Sequence, residues 1–168
     1  LDDDQAIVSV DDPVAVTEGN GIVFTISLNA EVEDGFTLAY STNAGTATGG
    51  DSDYANSSGT INFTGTLGEE HQITVTTIDD NFLEAVENFT FVLDEIINTT
   101  ADVTVSVTDG EGTGTINDND AASLAISDPV LTEGADAEFV VTLTGDVQGS
   151  FTISYATADG SATDAGGD

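Results

Sequence analysis

The chain has 168 residues, 32 of them Asp or Glu, with no Lys, no Arg and a single His, which gives a formal net charge of −32. Such a surface repels nucleic acid and anionic lipid, excluding both as partners, and it allows no internal ion pair except at His71 or a chain terminus. With no cysteine, disulfides and thiolate metal sites are excluded as well.

Apolar alternation predicts strands almost throughout. In chain order they fall at Ile7–Val10, Val14–Val16, Ile22–Leu28, Phe36–Tyr40, Gly59–Phe63, Ile73–Val75, Phe89–Leu93, Val103–Val107 and Gly112–Ile116. Phe82–Val86 has the spacing of a single helical turn, and Gly-, Asn- and Asp-rich turns separate the rest. Further strands are expected at Leu124–Ile126, Glu138–Leu143 and Phe151–Tyr155. No apolar run approaches the ~18–20 residues of a membrane span, so direct membrane insertion is not expected. High charge often means disorder. Here 39% of the residues are apolar and the mean hydropathy is +0.02. The expectation is a folded chain that draws its positive charge from metal ions or a salty medium.

The sequence also repeats. Asp2, Asp4, Ala6, Pro13 and Val14 recur as Asp118, Asp120, Ala122, Pro129 and Val130. After a one-residue deletion, Thr17-Glu18-Gly19 recurs as Thr132-Glu133-Gly134, Phe36 as Phe151 and Tyr40 as Tyr155. A fixed period of about 116 residues means tandem domains. Residues 1–5 read as the end of a preceding repeat or linker, 6–120 as one domain, and 121–168 as the first part of a second. The fold class expected is all-β, as tandem immunoglobulin-like antiparallel β-sandwiches whose second copy is incomplete. Phe24, Phe36, Tyr40, Tyr54, Phe63, Phe89 and Phe91 are the expected core of the first domain. Half a sandwich leaves open edges and half a core, so the second copy alone is not expected to be stable. We expect the natural chain to continue on both sides, and the absence of Met agrees with this.

Carboxylate clusters are the chemistry on offer. They fall at Asp2-Asp3-Asp4, Glu18, Asp51 and Asp53, Asp79-Asp80 with Glu84 and Glu87, and Asp118-Asn119-Asp120. Hard oxygen donors at this density suit Ca²⁺, which takes 6–8 oxygens in irregular geometry. Asp11, Asp12, Glu31, Glu33, Asp34, Glu69 and Glu70 read instead as dispersed charges that keep the protein soluble. His71 opens a strand at a position expected to be exposed, and no nucleophile elbow or phosphate loop accompanies it. Asp80 and Glu84 could pose as an acid–base pair, but the chain has no Trp, Lys or Arg with which to bind a sugar, and an enzyme is not expected. Sequons at Asn56, Asn62, Asn88 and Asn98 are expected by chance in a Thr-rich β protein.

These motifs together resemble the Calx-beta domain. The resemblance runs through Thr17-Glu18-Gly19, Tyr40 to Thr48, Gly50 to Tyr54, Gly59 to Phe63, Ile78 to Asp80 with Glu84 and Glu87-Asn88-Phe89, and Gly112 to Asp120. That family is an immunoglobulin-like sandwich of sodium–calcium exchangers, integrin subunits and large bacterial surface proteins. Its calcium-binding members hold their ions at one end. The resemblance implies Glu18, Asp53, Asp80, Glu84, Glu87, Asp118 and Asp120 as calcium ligands, with Asn81 and Asn119 at positions that are often Asp. It also implies a calcium-stiffened structural repeat of an extracellular or cell-surface protein, adhesin or filament, whose partners are neighbouring repeats of the same chain. Two alternatives remain. One is a calcium-sensing regulatory module. The other is a self-assembling filament subunit, completed by strand exchange with other copies of itself.

Overall fold

The computed structural model describes residues 5–50, 52–97, 103–105 (backbone only) and 109–162. Expectations that fall on residues 1–4, Asp51, Asn98, Val107 and 163–168 lie outside the described residues. The strands are β1 (Ala6–Val10), β2 (Val16–Thr17), β3 (Gly21–Leu28), β4 (Phe36–Ala44), β5 (Ser58–Phe63), β6 (Glu70–Thr76), β7 (Phe82–Leu83), β8 (Glu87–Ile97), β9 (Val103–Val105), β10 (Glu111–Asn117), β11 (Ser123–Ile126), β12 (Val141–Thr144) and β13 (Asp146–Val147). Two compact units result. The first holds Leu1–Asp80 and Ala85–Asn119, the second Asn81–Glu84 and Asp120–Asp168.

The first unit is a two-sheet sandwich with strand orders β6-β3-β1-β9 and β2-β10-β8-β4-β5. Strict alternation makes it so: β3 buries Ile22, Phe24, Ile26 and Leu28, and β8 buries Phe89, Phe91 and Leu93. The two apolar faces meet as interlocking rings. Phe24 stacks on Phe91 at 4.7 Å and meets Phe89 edge-on at 5.9 Å, while Tyr54 stacks on Phe89 at 4.2 Å. Such pairs add about 0.5–1.5 kcal/mol each beyond their buried area. Gly114 is the space that Phe89 needs, because a Cβ there would stand 2.5 Å from its ring. The expected aromatic core is present, with Tyr40 only partly buried.

The chain crosses from one sheet to the other between β1 and β2 without reversing direction. Ala6 therefore lies at the end of the sandwich that carries the 29–35 and 64–69 loops. Asn117 leaves at the opposite end, beside Thr17.

Three dispersed carboxylates have structural partners, which corrects their reading as solubilising charge alone. Asp11 Oδ1 accepts the Thr25 N–H at 2.7 Å and Asp12 Oδ1 the Thr113 N–H at 2.7 Å. Glu69 accepts the N–H groups of Thr64, Gly65 and Thr66, the Thr64 hydroxyl at 2.9 Å, and His71 Nε2 at 2.9 Å. His71 is half-buried rather than exposed, because its ring packs edge-on against Phe63 at 4.6 Å. Glu31, Glu33, Asp34 and Glu70 are exposed, as dispersed charges should be.

The second unit repeats the first in register. Leu124 faces Leu143 and Ile126 faces Val141, as Val8 faces Leu28 and Val10 faces Ile26. The expected strand at Phe151–Tyr155 does not form. Among the described residues its counterpart β4 pairs with β5 and β8, and the sequence given holds no second copies of those segments. The strand expected over Glu138–Leu143 is confined to Val141–Thr144. Phe139, Phe151 and Tyr155 stay exposed, and Ile126, Phe139, Val141, Ile153 and Tyr155 line an open apolar groove of 470 Å³. Phe82–Val86 makes no helical turn, because Phe82 and Leu83 pair in parallel with Asp146 and Val147.

Two outcomes are expected. Burial opposes ionisation of Glu69, but the Thr64 N–H, His71, the Thr64 hydroxyl and the Thr66 N–H outweigh it and hold its pKa at about 2 against an ordinary 4.5. A depressed folded-state pKa gives stability that is whole above pH 4.5 and fades as the pH falls towards 2. Glu69→Gln should cost about 1–3 kcal/mol at neutral pH and flatten that acid limb, as read by urea unfolding. Unchanged stability together with an unchanged limb would contradict the assignment. In a dilute monomeric sample, amides of Phe24–Leu28 should exchange far more slowly than those of Phe139–Leu143. Equal protection would show that the second unit is closed by something other than its own residues.

Candidate metal centre

The parallel pairing of β2 with β10 sets Val16 opposite Ile116 and Thr17 opposite Asn117. The residues just past both strands, Glu18 and Asp118-Asn119, therefore leave the sheet side by side. The Glu18 N–H donates to the Asn117 carbonyl at 3.0 Å, and the Asn119 N–H donates to Glu18 Oε1 at 3.2 Å. The Glu18 residue is only 5% exposed. A carboxylate that deep carries a large desolvation cost unless hydrogen bonds or a cation offset it.

Asp80 sits half-buried beyond β6, with a carboxylate oxygen within 4.8 Å of one from Glu18. A second pair forms from Asp53 and Glu87, again with oxygens within 4.8 Å. Both members are half-buried, Asp53 in the β4–β5 loop and Glu87 as the first residue of β8. Backbone bonds fix that loop: Asp53 Oδ2 accepts the Thr48 N–H, the Asp53 N–H reaches the Thr48 carbonyl at 3.0 Å, and Ile78 donates to the Asp53 carbonyl at 2.9 Å. Ala47 donates to the Asn88 carbonyl at 2.8 Å, tying the same loop to the start of β8. Underneath, burial pushes the Tyr54 hydroxyl pKa above its usual value. The Asp53 charge adds to that rise, while a hydrogen bond with Thr42 opposes it.

Asp118 is half-buried and stands outside both pairs. Glu84 and Asp120 belong to the second unit, where Glu84 Oε1 accepts the side-chain amide of Gln148. Asp120 follows Asn119 directly in the chain.

Two positions beside Glu18 carry roles that the sequence does not announce. Asn119 Nδ2 donates to Asp79 Oδ1 at 2.9 Å, a bond that an Asp at position 119 could not make. Gly19 adopts φ 76°, and a Cβ on it would lie 3.0 Å from Asp79 Cβ. The recurrence of Thr-Glu-Gly in both copies is the signal that could have marked Gly19 as a conformational requirement.

Chemically, each pair is an unequal contest. Two carboxylates within 4.8 Å repel each other, and the chain has no Lys or Arg to place between them. The donors are carboxylate oxygens with no His or Cys among them, so a hard divalent cation fits them, whereas Zn²⁺ would favour His or Cys.

The Calx-beta domain family model matches residues 2–120 and again residues 117–168. Among solved structures, the apo-form Calx CBD1 domain superposes with a TM-score of 0.57 at 21% identity, over 68% of this chain and 98% of that one. CBD12 from CALX1.2 gives 0.57 at 22% identity over 77% of this chain and 53% of that one. The Calx CBD2 domain gives 0.53 at 15% identity over 66% and 85%. No curated protein matches the chain.

Gly19→Ala should lower stability by about 1–3 kcal/mol, because it meets both the left-handed backbone and Asp79. Thermal unfolding of the variant measures it, and an unchanged midpoint would mean that the turn has another accessible geometry.

Proposed function

The chain belongs to the Calx-beta domain family, and on that premise we propose that it is a calcium-stiffened structural repeat of an extracellular or cell-surface protein. One observation carries the reading. Two carboxylate pairs converge in a sandwich with no cationic side chain to neutralise them. Glu18, Asp53, Asp80 and Glu87 are the first unit's proposed ligands. Glu84, Asp118 and Asp120 join the set through their places in the chain, one residue from Ala85 or from Asn119. Calcium supplies charge compensation here rather than chemistry. The side chains hold the ion, Asn119 and Thr48 orient Glu18 and Asp53, and the folded end of the sandwich becomes tolerable to its own charge. Asp80 acts in this scheme as a ligand beside Glu18 and not as an acid–base catalyst, so the reading is a binding module and not an enzyme.

The path of the backbone supports a spacer over a sensor. Ala6 and Asn117 lie at opposite ends of the first sandwich, so the chain enters that domain at one end and leaves it at the other. A surface without Lys or Arg suits a medium in which calcium is constantly abundant, where sensing would serve no purpose.

Calcium binding only the folded state should raise stability by about 2.7 kcal/mol at a hundredfold excess over Kd. Melting in calcium against melting in EDTA at matched ionic strength measures this, and an identical midpoint would leave charge screening as the whole effect. Asp80→Asn and Glu87→Gln should cut calcium affinity at least tenfold by calorimetry, while Glu95→Gln on the exposed face of β8 should not. Equal small losses in all three would mean that calcium is held diffusely.

A further inference from the structure

The second unit contains a segment that the sequence period assigns to the first repeat. Asn81–Glu84 lies between Asp80 and Glu87, yet its β7 residues pair with β13. Asp146 faces Phe82 and Val147 faces Leu83, in parallel. The Gln148 N–H donates to the Leu83 carbonyl at 3.1 Å, and the Gln148 side-chain amide donates to Glu84 Oε1. In a parallel ladder the residue opposite Val147 bonds to its neighbours, Asp146 and Gln148, rather than to Val147 itself.

The first repeat has a segment at the equivalent place in the period. Thr144-Gly-Asp-Val-Gln-Gly-Ser-Phe151 aligns with Asn29-Ala-Glu-Val-Glu-Asp-Gly-Phe36, which puts Glu31, Val32 and Glu33 where Asp146, Val147 and Gln148 stand. The backbones agree at one position, where Asp34 has φ 64° and its counterpart Gly149 has φ 77°, and differ at two others, where Gly35 (φ 65°) and Gly145 (φ 89°) face counterparts, Ser150 and Ala30, that lack a positive φ. Val32 is buried, donates its N–H to the Gly65 carbonyl at 2.9 Å and accepts the Gly35 N–H at 3.3 Å. Its polar groups therefore face the β5–β6 loop. The Glu31 carbonyl and the Glu33 N–H flank it, on exposed residues, and no hydrogen bond among the described residues engages either.

We propose that Glu31–Glu33 is a docking edge for the Phe82–Leu83 segment of another copy of this domain, the repeat that precedes it in an array. The edge lies at the end of the sandwich where Ala6 begins, as a receptor for a preceding repeat requires. One residue tunes it. Gln148 gives Glu84 a hydrogen-bond donor, whereas Glu33 gives it a second carboxylate. An identical repeat docked there would meet like charge, and the pairing tightens when position 33 becomes a donor.

This inference rests on the reading of the chain as one element of an array, but not on calcium. The test is hydrogen exchange on two proteins: the 168-residue chain, and the same chain preceded by a further copy of its residues 1–116, so that the seam keeps the natural period. The Gln148 amide should be protected in both. The Glu33 amide of the second copy should be at least tenfold slower in the longer protein, slower still with Glu33→Gln, and fast again with Leu83→Pro in the leading copy. Unchanged protection of Phe24–Leu28 in the leading copy guards against simple misfolding. Equal Glu33 exchange in the two proteins would overturn the proposal, and so would an unprotected Gln148. Solution scattering of the longer protein in calcium and in EDTA separates the two readings. Calcium-dependent stiffness without Glu33 protection leaves the spacer and removes the docking edge. Glu33 protection without stiffness does the reverse.

Discussion

Everything in this molecule is arranged around a missing partner: there are 32 carboxylate side chains and no Lys or Arg to face them. A folded chain with that imbalance has three ways to keep its charges. It can leave them in water, where screening weakens their repulsion beyond about 10 Å. It can turn them onto its own backbone N–H groups, as Asp11, Asp12, Asp53 and Glu69 do. Or it can gather them around an ion. Backbone donors are finite, since strands consume most of them in ladders. The carboxylate hydrogen bonds accordingly concentrate where the ladders lapse, at the β4–β5 and β5–β6 loops and at the crossing between β1 and β2.

The geometry of the candidate metal centre follows from topology more than from local sequence. Residues 18 and 119 are 101 positions apart and meet because β2 and β10 run in parallel, so that both chains leave the sheet at the same level. An antiparallel pairing would have sent one of them to the far end. Asp53 and Glu87 meet through a different device, a loop hydrogen-bonded to the first residues of β8. The candidate centre thus draws on five chain segments, around Glu18, Asp53, Asp80, Glu87 and Asn119.

Much of this was legible beforehand, and the exceptions are instructive. Strands such as β3 and β8 are written in strict alternation, because a sandwich strand buries one face only, and the ordered motif set points to the family. Phe151–Tyr155 has the same alternation and forms no strand, since pattern records what a segment can do and pairing needs β5 and β8 counterparts. Phe82-Leu83 looked helical because a five-residue window cannot distinguish a turn from a short paired segment whose partner lies 64 residues away. Glu69 looked like ordinary surface charge, since nothing in Thr64-Gly-Thr-Leu-Gly-Glu69 announces that successive N–H groups will point inward at one carboxylate. The role of Asn119 was hidden for the opposite reason. The sequence shows only an Asn where an Asp is often found, and not that its amide reaches Asp79.

The opposed positions of Ala6 and Asn117 have a mechanical corollary. A pull applied between them would run along β1 and β10 rather than across them. The parallel pairings of β1 with β9 and of β2 with β10 would be loaded in shear. In shear the hydrogen bonds of a ladder yield together, whereas a hairpin pulled from one end opens one bond at a time. Extension would then be governed by a single high barrier and by the rate of crossing it, not by the equilibrium stability of the sandwich. Glu18 and Asp80 sit where that load leaves the domain, so an ion held there would clamp the last bonds to bear it.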